Sequence, residues 1–169
     1  MNHSDRAASP SGLTIRPLTA ADRASLAELP ERVSPQSAVS RFHGAVSGLS
    51  EPFLDLLLDL REGQREAMIA LDSRGIVGVA RFARDAQDAD TAEVAVLVAD
   101  EWQHRGVAHQ MLRPLIARAV SAGITRLRAD MLVENTPARR LFAKVGPTLR
   151  EIVVNGHVVV TIDLSTMVE

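Results

Sequence analysis

Apolar and polar positions alternate from Leu13 to Pro17 as they do on a short strand. Thr19, with Asp22 three residues on, has the form of a capping box opening a helix to about Arg32. Ser34 and Pro35 supply a cap and a first-turn proline for a second short helix ending near Phe42 to Gly44. Ser50-Glu51-Pro52 repeats the signal ahead of Phe53, Leu54, Leu56, Leu57, Leu58 and Leu60, an apolar third helix that should end before Gly63. From Glu66 the period changes to two. Glu66 to Leu71 and Ile76 to Phe82 flank the four-residue turn Asp72-Ser73-Arg74-Gly75 and read as an antiparallel hairpin. After the polar run Asp85 to Asp90, Glu93 to Val98 is apolar on both faces, as a strand buried between two layers would be.

Gly106 to Ala122 carries the apolar spacing of an amphipathic helix, with Pro114 requiring a kink or a lost backbone bond and Gly123 ending it. Thr125 to Val133 is a strand. Asn135 caps a helix from about Thr136 to Val145, with Pro137 in its first turn. Leu149 to Val154 and His157 to Leu164 are joined by Asn155-Gly156, which favours a tight hairpin. The order β-α-α-α-β-β-β-α-β-α-β-β predicts an α/β (α+β) fold with a mixed, mostly antiparallel central sheet flanked by helices on both faces.

Composition narrows the function. The 169 residues, 46% of them hydrophobic, fit one domain over residues 13–169 behind a disordered tail at 1–12. The absence of Cys excludes disulfides, thiolate zinc sites and a Cys nucleophile, and the five His share no metal-ligand spacing, so no metal is expected. With 3% aromatic residues, no Tyr and a net charge of −2, the chain has neither stacking platforms nor a positive field for nucleic acid. No apolar run approaches the roughly 20 residues of a membrane span, and Met1 to Gly12 lacks the apolar core of a signal peptide, so a cytoplasmic protein with no membrane partner is expected. Every basic residue but Lys144 is Arg, and these are scattered along the chain, not gathered into a patch.

Chemistry concentrates in Ala92 to Ala108, a buried strand, a polar turn and then Gln103-His104-Arg105-Gly106-Val107-Ala108 opening a helix. A helix start leaves backbone N–H groups unpaired and carries partial positive charge, which suits a pyrophosphate. Gly106 and Ala108 keep that surface bare, and Arg105 can add a charge-assisted contact. The dinucleotide and P-loop glycine patterns are both missing. Asp100 and Glu101 belong on the outer side of this turn, because negative charge opposes phosphate. Trp102 reads as an anchor packing the loop.

Val98-x4-Gln103-x-x-Gly106-x-Ala108 at a strand-to-helix junction resembles motif A of the GNAT-type acetyl-CoA-dependent N-acyltransferases. Glu134-Asn135-x3-Arg139-x2-Phe142-x3-Gly146 resembles that family's second motif. Upstream, Ser34-Pro35-Gln36-Ser37-x3-Arg41-Phe42-x-Gly44 with Leu49-Ser50-Glu51, and Ala92-Glu93-Val94-Ala95, are similar to the bacterial protein-lysine acetyltransferase branch. The resemblance implies acetyl-CoA as co-substrate, held where the Glu93 strand and the next one splay apart, and an amine acceptor, either protein lysine or a small molecule. It implies Glu93 as general base, backbone groups of Val96, Leu97 and Val98 along the pantetheine arm, and pyrophosphate on Gln103, His104, Arg105, Gly106, Val107 and Ala108. Asn135 and Phe142 would line the CoA arm. An amine arriving protonated must lose a proton before it attacks a thioester, and a carboxylate among apolar neighbours suits that task.

Two positions depart from the family pattern. Phe142 stands where many members carry a Tyr that protonates the departing thiolate, and Gly146-Pro147 replaces the common Gly-Phe. A thiol with a pKa of about 8.5 leaves adequately without a dedicated acid. Two other readings stay open on sequence alone: a non-catalytic acyl-CoA-binding regulatory module, and an interaction domain whose terminal hairpin could extend a sheet across a homodimer.

Overall fold

A computed structural model describes residues 12–34 and 50–167. Its strands are β1 (Thr14–Pro17), β2 (Arg65–Asp72), β3 (Gly75–Arg84), β4 (Thr91–Val98), β5 (Arg126–Leu132), β6 (Thr148–Val154) and β7 (His157–Asp163). Its α-helices, among the described residues, are α1 (Arg23–Glu28), α2 (Glu51–Leu58), α3 (Val107–Ser121) and α4 (Thr136–Ala143). One sheet runs in the order β1-β2-β3-β4-β5-β7-β6, and every pairing is antiparallel except β4 with β5. The expected mixed, mostly antiparallel sheet is therefore present. The second short helix, apart from its expected cap Ser34, and the tail expected at 1–12, apart from Gly12, fall on residues outside the described ones.

Strand alternation assigns the two faces. Gly78, Ala80 and Phe82 of β3 stand opposite Val98, Val96 and Val94 of β4, and α3 lies over this face. A Cβ added to Gly78 would meet Met111 Cε of α3 at 2.8 Å, so the missing side chain lets the helix settle close to the sheet. Ile69, Val79 and Leu97 form a buried row on the other face. Leu26 of α1 and Leu54 and Leu57 of α2 join the same core, and Ser25 Oγ accepts the Ile76 N–H at 3.0 Å.

Three boundaries differ from the sequence reading. The first helix is broken: a 3-10 turn at Ala20–Asp22 precedes α1, and a second at Leu29–Arg32 follows it. Pro30 lacks an N–H and crowds the residue before it, which ends the α-helical run. The capping interaction itself is present, since Asp22 Oδ2 accepts the Thr19 N–H at 2.9 Å. Helix α2 stops at Leu58 because the chain folds back, with Arg61 and Arg65 exchanging backbone bonds at 2.8 Å and Arg65 Nε donating to the Asp59 carbonyl at 3.0 Å. The β2–β3 turn has two residues instead of four, as Asp72 and Gly75 already pair.

Gly146 fixes how α4 returns to the sheet. A Cβ there would lie 2.5 Å from the Asp163 carbonyl oxygen, and the neighbouring Pro147 carbonyl accepts the Asp163 N–H at 2.8 Å. The contact is with backbone, which cannot swing aside. Gly146→Ala should therefore lower stability by about 1–3 kcal/mol, read as a reduced urea midpoint with an unchanged slope.

Candidate active site

The parallel β4–β5 ladder holds three residue pairs, Thr91 with Arg126, Ala92 with Leu127 and Glu93 with Arg128. Beyond Glu93 the strands part, while β4 stays paired with β3 through Val98. Ala99 N donates to the Val77 carbonyl at 2.7 Å, and Thr125 N and Arg126 N donate to Asp90 O at 2.9 and 3.0 Å. By alternation, the odd-numbered residues of β4 turn their amides toward β3 and the even-numbered ones turn theirs toward β5. The backbone groups of Val96 and Val98 thus face the gap. The Val98 carbonyl accepts a bond from Gln103 Nε2 at 3.1 Å, which ties the following turn to this edge.

A cleft of about 690 Å³ occupies the gap. One wall is Val94, Ala95, Val96 and Val98, the other is Asp130, Met131, Asn135, Ala138, Leu141 and Phe142, and the start of α3 closes one end. His104 (φ 59°) and Gly106 (φ 78°) are both left-handed, and Gly106 directly precedes α3. Such a turn directs successive amides to one side, where they join the unpaired N–H groups of the first helical turn. A Cβ at Gly106 would meet nothing within 4 Å, so Gly is needed there for backbone conformation and not for packing.

The turn is held from behind. Asp72 Oδ2 accepts from Arg32 at 2.7 Å and from the Trp102 indole N–H at 3.2 Å, and Arg32 also pairs with Glu101. Arg74 reaches Glu101 at 2.8 Å. Asp100 Oδ1 accepts from Gln103 Nε2 at 3.2 Å, and Asp100 Oδ2 accepts the Ser34 N–H at 3.1 Å. Asp100 and Glu101 lie outside the cleft lining as expected, but they are bonded into this network and do not merely face solvent. Trp102 anchors the loop and also lines the cleft, with the Arg105 guanidinium 5.2 Å from its ring centroid.

Of the residues expected to bind cofactor, Val96, Val98, Gln103, His104, Gly106, Val107, Ala108, Asn135 and Phe142 all line the cleft. Asn135 also caps α4, its Oδ1 accepting the Ala138 N–H at 3.2 Å, and Phe142 is buried. Three of the expected residues are not in the cleft lining. Leu97 does not line the cleft: its side chain is buried on the opposite face and its amide turns toward β3. The Arg105 side chain is not in the lining and its guanidinium lies over Trp102, while its amide belongs to the turn expected to hold the pyrophosphate. Glu93 is exposed on the face away from α3, at the foot of the splay, without the apolar surroundings expected of it. The sequence reading missed Asp130, Met131, Glu134, Arg140 and Lys144 in the lining. Asp130 and Met131 are on β5, whose register across the gap the sequence does not show, and Glu134, Arg140 and Lys144 lie before, on and at the end of α4.

The acetyltransferase (GNAT) family model matches residues 36–146. The chain belongs to the GNAT family. Acetyltransferase PA5475 of Pseudomonas aeruginosa is 30% identical over 136 residues, covering 78% of this chain and 73% of that protein. The GNAT domain of S. lividans PAT is 30% identical with a TM-score of 0.81, and the match covers 89% of both chains. A third structure shares the fold: yncA of Salmonella typhimurium, solved with its cofactor acetyl-CoA, at 18% identity, a TM-score of 0.71, and 92% and 95% coverage. The family expectation drawn from the turn after β4 is met, and the likeness to the PAT domain fits the branch suggested by the residues upstream.

Arg32 and the backbone N–H of Arg74 hold the Asp72 carboxyl down at about 2 against the opposing pull of burial. A carboxyl lowered in the folded state adds stability above its ordinary value, 3.8, and that stability is lost as pH falls through about 2. Asp72→Asn should cost about 1–3 kcal/mol at pH 7 and flatten the acid limb between pH 4 and 2. Urea melts across that range, with hydrogen exchange of the Trp102–Gly106 amides, check both effects.

Proposed function

We propose that this chain moves an acetyl group from acetyl-CoA to a primary amine by direct transfer, with Glu93 as general base. The observation that carries the reading is the joining of the gap-facing edge of β4 and the start of α3 in one cleft. Backbone groups of Val96 and Val98 suit the amide-bearing pantetheine arm, as an added strand would pair with a free edge. Amides from Gln103 to Ala108 suit the pyrophosphate. The yncA structure supports acetyl-CoA as the ligand, and the likeness to the PAT domain supports protein lysine as the acceptor class.

The amine nitrogen forms a bond to the thioester carbonyl carbon, the C–S bond breaks, and the amine proton goes to Glu93. Because Glu93 is exposed and outside the cleft lining, one water carries the proton across. The β4 edge amides polarise the carbonyl as charge develops on its oxygen. Phe142 offers no proton, so the thiolate leaves as such or takes one from solvent. Bringing the two substrates together supplies much of the acceleration.

Acetyl-CoA at 100 times its Kd should raise apparent stability by about 2.7 kcal/mol, while ATP and NADPH do not. Glu93→Gln should retain that shift yet lower turnover on lysine peptides by roughly 10²-fold. A wild-type rate removes Glu93 from the mechanism, and a missing acetyl-CoA shift contradicts the transferase reading itself.

A further inference from the structure

Most of the described arginines have a hydrogen bond or an ion pair. Arg65 pairs with Asp59 at 2.6 Å, Arg126 with Asp88 at 3.0 Å and Arg128 with Asp85 at 2.9 Å, and Arg84 donates to carbonyls including Gly63. Among the described residues, Arg81 stands apart as the one arginine that is not exposed and has neither a hydrogen bond nor an ion pair. It lies mid-strand on β3, half-buried, opposite Ala67 on β2 and Ala95 on β4. Ala83 stands opposite Glu93, so Arg81 and Glu93 are diagonal neighbours on one face, about 7–8 Å apart. The alanines around it leave the guanidinium uncovered by any larger side chain of its own row.

A half-buried guanidinium presents five donors in a planar fork, and those of Arg81 stay open to solvent and so to a ligand. Burial pulls this group below its usual range, the Glu93 carboxylate opposes that, and the like charge of Arg65 adds to it. An acceptor from beyond the described residues would match those donors. Its chemistry follows from the fork: a planar carboxylate takes two parallel N–H bonds.

Resting on the transferase reading, we propose that Arg81 binds a carboxylate carried by the amine acceptor, so that the acceptor amine comes to lie beside Glu93. The amine then sits within one water of Glu93, and the acceptor's own carboxylate meets the guanidinium. Two sources share that chemistry, an acidic side chain adjacent to a protein lysine and the α-carboxylate of a free amino acid.

The test compares acetylation of a Glu-Lys peptide with its Gln-Lys counterpart, and of a free amino acid with its amide, by the wild type, R81M and R81K. Wild type should favour one carboxylate-bearing acceptor about tenfold or more, chiefly through KM, and which pair shows the preference identifies the source. R81M should erase the preference and melt no lower than wild type, whereas R81K, a charge without the fork, should keep part of it. Equal rates on both pairs, or a preference that survives in R81M, overturn this proposal alone. A melting temperature of R81M well below that of wild type also overturns it, because it makes Arg81 structural. Failure to acetylate any acceptor, with no acetyl-CoA shift, overturns the transferase reading and this proposal together.

Discussion

The site depends on a ladder that stops. β4 and β5 pair through Glu93 and Arg128 and then separate, while each remains paired along its other edge, β4 with β3 and β5 with β7. A break inside a sheet leaves polar backbone that must be matched by something else. Here the Gln103 side chain takes one carbonyl of the free edge, and the edge is otherwise open to a ligand with its own amides. The same divergence brings the start of α3 to one end of the gap and α4 to one side, so a single topological feature sets the place, shape and polarity of the cleft.

Support for that geometry comes from behind the chemistry. Asp72, at the tip of the β2–β3 hairpin, gathers Arg32 and Trp102, while Arg32 and Arg74 converge on Glu101. These contacts fasten the left-handed turn before α3 to the N-terminal layer, at positions far apart in the chain. Partly buried, charge-assisted bonds of this kind hold geometry more firmly than exposed pairs do. The small residues act likewise, since Gly78 lets α3 approach the sheet and Gly106 permits the turn.

Much of this was legible in the sequence because each element carries its own local signal. The Asn155-Gly156 hairpin, the Asn135 cap and the bare helix start at Gly106 to Ala108 all stand where residue chemistry placed them. What was not legible depends on tertiary relations. Pro30 cut a helix that a capping box had opened, and the fold-back at Arg61 and Arg65 shortened another. Leu97 reads like its neighbours until strand alternation turns its amide toward β3. Glu93 opens an apolar strand, yet its face of the sheet is exposed at that point. Arg81 is one basic residue among many until its burial and its lack of a partner among the described residues set it apart.

On the transferase reading, the gap-facing amides of β4 pair with acetyl-CoA. Amide hydrogen exchange read by NMR tests it residue by residue. The Val96 and Val98 amides should exchange freely in the unliganded protein and slow by about tenfold or more with acetyl-CoA, while Leu97 stays protected in both states. Val96 and Val98 protected from the start, or unmoved by saturating acetyl-CoA, would contradict acetyl-CoA binding along this edge.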